Sequence, residues 1–223
     1  ASEESGGGVS LLCSLLYDCK ISLKNSSFTG NSAVLSGGGI YWAHNQPKLE
    51  NITFAANSAE YGNNTASNPM AMSVVIDQDE VLRNRLLTDL FNAASGQKLP
   101  LPIKVALIDH YGQIVTTDNS SQDLIQATKE SSTLSGLTRV TAVRGLFIFD
   151  NIIVSSTPGE PVALYVGTDG IKIEDAKQRL QLEGYSKELN FTVSVRLCQR
   201  GEPQVNKDCM HRVWSRHVQF KPC

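Results

Sequence analysis

The chain reads as all-β: a stack of short parallel strands at the N-terminal end, followed by an antiparallel sandwich. Three observations predict this. The segment Leu23-Lys-Asn25-Ser-Ser-Phe28-Thr-Gly-Asn31-Ser-Ala33 recurs as Leu49-Glu-Asn51-Ile-Thr-Phe54-Ala-Ala-Asn57-Ser-Ala59, at a constant offset of 26 residues. A three-glycine element, Gly6-Gly7-Gly8-Val9, recurs as Gly37-Gly38-Gly39-Ile40. From Met70 the repeats stop, and short Val/Ile/Leu-rich segments separated by turn residues take over.

In the first part each unit offers short strands with one inward apolar residue, Leu23 and Phe28 or Leu49 and Phe54, between glycines that turn tight corners. Such a unit cannot bury its own face, and repeats of 20 to 50 residues signal stacking. Turns about 4.8 Å apart put Phe on Phe and Leu on Leu, and place Asn31 and Asn57 where they form a ladder of amides. The expectation is a short right-handed parallel β-helix over residues 1–69. The Phe-x-x-Asn element followed by Gly-Gly-Gly-Ile resembles the repeats of polymorphic membrane proteins and of related secreted, pectin-lyase-like β-helix proteins of microbial eukaryotes. The stretch Ser10–Ser22, with Cys13 and Cys19, is longer than a simple corner in that pattern. Solenoids need about three repeats and caps, so the stack must be completed by the following domain, by upstream sequence or by another copy.

Residues 70–202 read as the sandwich. Ser73–Ile76 is an expected strand, while Asp79–Ala94 fits either a short helix or a loop, with Leu82, Leu86 and Leu90 at helical spacing. Ile103–Ile108, the turn Asp109-His-Tyr-Gly112 and Gln113–Thr117 predict a hairpin with His110 exposed at its tip. Further strands are expected at Thr138–Val143, Leu146–Val154, Val162–Val166 and Leu189–Leu197. About seven short strands and little helix describe an immunoglobulin-like β-sandwich. The run from Pro102 to Ser120, the strand Gly145–Phe149, Pro158-Gly159 and the late Cys198-x-x-Gly201-Glu202 resemble a sandwich module that follows β-helices in large extracellular proteins of ciliates and other protists. That resemblance implies a Cys-rich region after Cys198, whereas residues 203–223 form a tail carrying only Cys209 and Cys223 with Trp214 and Phe220.

Composition bounds the function. With 20 Lys+Arg against 22 Asp+Glu scattered over 223 residues, no basic face for nucleic acid is expected. The longest apolar stretches, Val9–Tyr17 and Leu146–Val154, fall short of the roughly 20 residues of a membrane helix. A first residue that is Ala1, without a leader, suggests a processed product or a piece of a longer protein. The five cysteines cluster at the two ends, and an odd count leaves one over; we expect Cys13, Cys19, Cys198 and Cys209 in disulfides and Cys223 without a partner in the chain. Five Asn-x-Ser/Thr acceptors, at Asn25, Asn51, Asn63, Asn119 and Asn190, exceed the roughly two that composition alone produces. Terminal cysteines and these acceptors together point to an exported glycoprotein bearing N-linked glycans, with no other cofactor.

No catalytic constellation is visible. Residues 1–69 hold only Glu3, Glu4, Asp18, Glu50 and Glu60 as acids and no Arg, and neither Glu50 nor Glu60 has an acidic repeat partner. Cys209-Met-His211 with His217 and Cys223 matches no common zinc spacing, Ser120 and Ser121 lack a nucleophile elbow, and Gly6–Gly8 is not followed by Lys-Ser/Thr. The expected function is therefore non-enzymatic: a secreted or cell-surface structural glycoprotein that assembles with itself into a filament or coat. The chain also resembles protomers of glycosylated extracellular fibrils joined by donated N-terminal strands. The donor expected here is Val9–Leu16 (Val9, Leu11, Leu12, Leu15, Leu16), an apolar run without a partner in the repeat register. The alternatives are a glycan- or cell-surface-binding adhesin using the loops around Asp109–Gln113, and a β-helix polysaccharide lyase or hydrolase.

Overall fold

In the computed structural model, which describes residues 4–13, 19–75, 93–172, 186–202, 204–206 and 208–209, every regular element is a β-strand. The first five strands are β1 (Val9–Leu12), β2 (Ser22–Thr29), β3 (Ile40–Ala43), β4 (Lys48–Ala55) and β5 (Thr65–Ser67). They form two parallel sheets, one ordered β1-β3-β5 and the other β2-β4. The repeat dictates the register: Leu23 pairs with Leu49 and Phe28 with Phe54. The two phenyl rings stack at 5.8 Å between centroids.

Two local features make the stacking possible. Asn25 and Asn51 sit in the left-handed region, at φ 49° and 51°, and bend both long strands at the same rung; Asn tolerates that conformation better than most residues. At Gly39 a Cβ would lie 2.6 Å from the Asn64 carbonyl oxygen and 3.0 Å from the Phe54 ring, so only glycine lets adjacent rungs approach this closely.

The structure corrects the reading of the N-terminal run. Val9–Leu12 has a partner in the repeat register, pairing residue by residue with Ile40–Ala43. The three-glycine element sets this alignment: Gly7 N donates to Gly37 O at 3.1 Å and Gly8 N to Gly39 O at 3.0 Å, so the first rung begins at the glycine corner even though no Leu/Phe segment precedes it. Leu15 and Leu16 lie outside the described residues.

The remaining strands are β6 (Pro69–Val75), β7 (Ala93–Ala94), β8 (Gln97–Lys98), β9 (Ile103–Asp109), β10 (Gln122–Ala127), β11 (Thr133–Ser135), β12 (Arg139–Thr141), β13 (Leu146–Phe149), β14 (Ile153–Ser155), β15 (Pro161–Thr168), β16 (Glu188–Arg196), β17 (Gln204–Val205) and β18 (Asp208–Cys209). They pair as β12-β10-β15-β16-β7, β13-β9-β6, β11-β14-β8 and β17-β18, antiparallel except where β7 joins β16. Alternate residues of β9, β10, β13, β15 and β16 point inward to one buried cluster containing Val105, Ile125, Phe147, Leu164 and Val193. Tyr61 and Ala66 belong to the same cluster, so the core is continuous with the last rung of the stack.

Three expected elements differ. Leu146–Val154 is two strands in different sheets, because Asn151 at φ 56° turns the chain between them and donates its N–H to Asp150 Oδ1. The hairpin after Ile108 keeps its turn, but its second arm pairs only around Ile114 and Val115; β13 and β6 occupy the flanks of β9 instead. Of Asp79–Ala94, residues 79–92 lie outside the described set, and Ala93–Ala94 is strand.

Both disulfides close within a terminal cluster: Cys13 to Cys19, Cα atoms 6.2 Å apart, and Cys198 to Cys209, 5.3 Å apart. Cys209 is therefore bonded to sulfur rather than available to zinc. Cys223 and the tail from residue 210 lie outside the described residues.

Candidate functional site

The two ends of the stack are treated differently by the fold. At the downstream end, the Asp109–Gln113 turn that follows β9 closes it. Asp109 is 1% exposed, and its Oδ1 accepts from Tyr111 N and Gln113 N, both at 2.9 Å. Its Oδ2 accepts from Ser67 N at 3.2 Å and Gln113 Nε2 at 3.1 Å. Gln113 Nε2 also reaches Thr65 O at 2.9 Å, and His110 N donates to Ser67 Oγ at 3.0 Å. One turn thus supplies partners to both edge groups of β5. Burial pushes the Asp109 carboxyl above its ordinary value, and the hydrogen bonds from Gln113, Ser67 and Tyr111 pull it back.

Aromatic packing completes the joint. Trp42, 1% exposed, donates its indole N–H to Tyr111 Oη at 2.9 Å and meets the His110 ring edge-on at 5.3 Å. His110 is accordingly half-buried against Trp42 and not the exposed tip residue the sequence suggests. Tyr61 donates its hydroxyl to Ser67 O at 2.7 Å, and burial raises its pKa strongly.

At the upstream end no such cover exists among the described residues. β1 pairs only with β3, and β2 only with β4, so the outer side of each carries unpaired backbone. Leu12 is 73% exposed there, with Val34 at 59% and Leu35 at 40% nearby in sequence to the glycine corner. Glu4–Ser5 extend the first rung: Leu35 N donates to Glu4 O at 2.9 Å, and Ser5 bridges Ser36, their hydroxyls 2.7 Å apart.

The predicted residues fall into distinct groups. Phe28 is buried and Phe54 half-buried, and Leu23 and Leu49 flank them in the same register. Asn57 is buried: its Oδ1 accepts from Asn31 N at 3.0 Å and Asn31 Nδ2 at 3.1 Å, while its Nδ2 donates to Phe28 O at 2.8 Å. This is the amide ladder the repeats imply. The five acceptor asparagines are all exposed. Two of them also bond each other, since Asn51 Nδ2 donates to the Asn25 side-chain Oδ1 at 2.8 Å across the rungs.

The acids weighed for catalysis are engaged. Glu50 pairs with Lys24 at 2.7 Å and Lys48 at 2.5 Å, and these ammonium groups hold its carboxyl below the usual range. Glu60 lies 3.9 Å from Arg144. No group of three or more His, Cys, Asp or Glu among the described residues is arranged to hold a metal ion, and no described helix is long and apolar enough to cross a membrane.

Sequence reasoning missed Trp42, Tyr111 and Asp109 as one unit, because residues 42, 67 and 109 are far apart in the chain. The available signal was a turn, Asp-x-x-Gly, whose Asp side chain can bond its own backbone. It also missed β10, whose polar sequence Gln-Asp-Leu-Ile-Gln-Ala hides a buried Asp123.

No family model matches the chain, and no curated protein matches it. Domains 4 and 5 of the S-layer protein SbsC align at 17% identity and TM-score 0.31, over 59% of this chain and 55% of that one. A C. elegans MSP family member aligns at 6% identity and TM-score 0.28, over 47% of this chain and 90% of that one. The chain thus spans about half the length of the S-layer structure it matches. At these scores neither likeness fixes the fold or assigns a function.

Proposed function

We propose that this chain is a subunit of an extracellular structural assembly, a short β-helix joined to an immunoglobulin-like sandwich, which polymerises with copies of itself by exchange of its N-terminal strand. The observation that carries this reading is the asymmetry of the stack: a downstream end closed by the Asp109–Gln113 turn, and an upstream end that no described strand pairs. An open, flat edge is a template for strand addition. Strand β1 makes its four-residue register with β3 alone. The same contacts form when Val9–Leu12 of a neighbouring copy takes that place, which is the low-cost logic of a swapped element, and a head-to-tail exchange that does not close gives a filament.

Two disulfides and five exposed acceptor asparagines support an oxidising, extracellular setting and a glycan-covered flank. The adhesin alternative has less behind it, because the polar atoms of the Asp109–Gln113 turn are already committed to β5. The lyase or hydrolase alternative would use Glu50 or Glu60, and Glu50 is bound by two lysines.

Electron microscopy of the purified chain tests the assembly, and a staple tests the exchange. Leu12 and Ala43 are register partners, so Leu12→Cys with Ala43→Cys locks β1 to its own β3. We expect filaments from the wild type and from the reduced double variant, and none from the oxidised one. Filaments that persist when the staple is closed would overturn strand exchange. Isolated particles under every condition would overturn the structural-subunit reading.

A further inference from the structure

We propose that Asp123 is a buried proton-binding site that couples the packing of the five-stranded sheet to pH. Asp123 lies on β10, opposite Val140 of β12 on one side and Thr168 of β15 on the other. The residue is 1% exposed, yet among the described residues neither carboxylate oxygen has a partner at full hydrogen-bond geometry, and only the Thr168 hydroxyl acts on it favourably. The nearby Asp118 repeats the condition in part: its Oδ1 accepts from Ser120 N at 3.1 Å and Ser121 N at 3.2 Å, while its Oδ2 is buried and unpartnered.

Among the described residues the one group that eases the charge is the Thr168 hydroxyl, and no cation does. The groups that act on Asp123 electrostatically are Asp169, which follows β15, and Asp118, which precedes β10, both acids. The one cation on β12, Arg139, pairs opposite Leu124, and alternate strand positions face opposite sides. On the facing sheet the neighbour beside Gly170 and Ser121 is the apolar Leu107. An ionised carboxylate in such a place is strongly disfavoured, whereas the protonated acid is neutral and brings a donor of its own. Because no described acidic or His/Cys group is arranged for a metal, the proton is the cation the site fits.

Burial, with the charges of Asp169 and Asp118 adding to it and the Thr168 hydroxyl opposing, pushes the carboxyl up to about 7. A folded value raised above the unfolded one means that the folded state binds more protons between the two. Stability is then greatest on the acid side and is lost as pH rises towards the folded value. The strands that loosen first are those paired through Asp123, namely β10 with the edge strand β12.

The test is the melting temperature of the full chain from about pH 5 to about pH 9 in the presence of a chelator. We expect the wild type to lose thermal stability as pH rises from about 5 to about 7 and to level off above that, Asp123→Asn to show no such loss, and the variant to melt above the wild type at the alkaline end. A wild type whose melting temperature is flat or rising between about pH 5 and about pH 7, or a variant that falls in parallel with it there, would overturn the proposal. Should Asp123→Asn fail to fold, carboxyl carbon NMR of the wild type decides: one Asp midpoint near neutrality supports the site, and all midpoints in the ordinary acid range refute it. Calcium chloride added in place of the chelator separates the two possible ligands. A calcium-dependent rise in melting temperature that Asp123→Asn abolishes would assign the oxygens to a metal and overturn the proton assignment.

Discussion

Replacing Asp109 by Ala tests whether the joint between the stack and the sandwich rests on one carboxylate. The side chain accepts four hydrogen bonds, from Tyr111 N, Gln113 N, Ser67 N and Gln113 Nε2. Alanine leaves three backbone N–H groups without their acceptor in a site that is 1% exposed at Asp109. A buried donor left unpaired costs about 1–3 kcal/mol, and part of that is recovered where the turn opens to water. The expected loss is about 4 kcal/mol, which for a chain of this length lowers the melting temperature by about 8–16 °C. Asp109→Asn keeps one oxygen for two of the donors but turns an amide nitrogen towards the others, so it costs about half as much. Urea unfolding followed by Trp42 fluorescence reads the joint itself, since the indole is bonded to Tyr111; a Trp214→Phe background removes the second Trp. An Asp109→Ala loss below about 1 kcal/mol would refute the reasoning, as would an Asn variant as damaged as the Ala one.

Other perturbations read the stack and its tethers. Asn57→Ala removes the acceptor for Asn31 N and the donor to Phe28 O; we expect about 2–3 kcal/mol lost by urea denaturation, against less than half that for the more exposed Asn31→Ala. Gly39→Ala puts a methyl group 2.6 Å from Asn64 O and 3.0 Å from the Phe54 ring, and circular dichroism together with limited proteolysis of residues 20–60 is expected to report a disrupted stack. Glu50→Gln breaks exposed ion pairs with Lys24 and Lys48; its melting temperature should nearly match the wild type, and any small deficit at low salt should disappear as salt is added, because exposed pairs are screened. Removing the Cys198–Cys209 bridge, which closes an 11-residue separation, should cost about 3 kcal/mol in thermal unfolding.

Part of this architecture was legible in the sequence because it is local and periodic. The 26-residue offset dictates which Leu faces which Leu and which Phe faces which Phe, and the chain pairs β2 with β4 in that register. The Asn31–Asn57 ladder follows from the same offset. The strands at Ile103–Asp109, Pro161–Thr168 and Glu188–Arg196 announce themselves by apolar runs and β-branched residues; burial alternates along Pro161–Thr168, while Val105–Leu107 of the first is buried throughout.

What only the tertiary structure decided are the contacts between segments with no periodic relation. That Val9–Leu12 is the first rung depends on a glycine corner whose effect appears only when Gly37–Gly39 lies beneath it. That Asp109 closes the last rung depends on bringing the turn to Ser67, 42 residues away. That Asp123 is buried depends on β12 and β15 flanking it, since Gln122–Ala127 alone shows no apolar periodicity that marks it as core. Periodicity records which face of a segment is apolar, but burial of a single polar side chain is set by what the rest of the chain packs against it, and no local pattern encodes that.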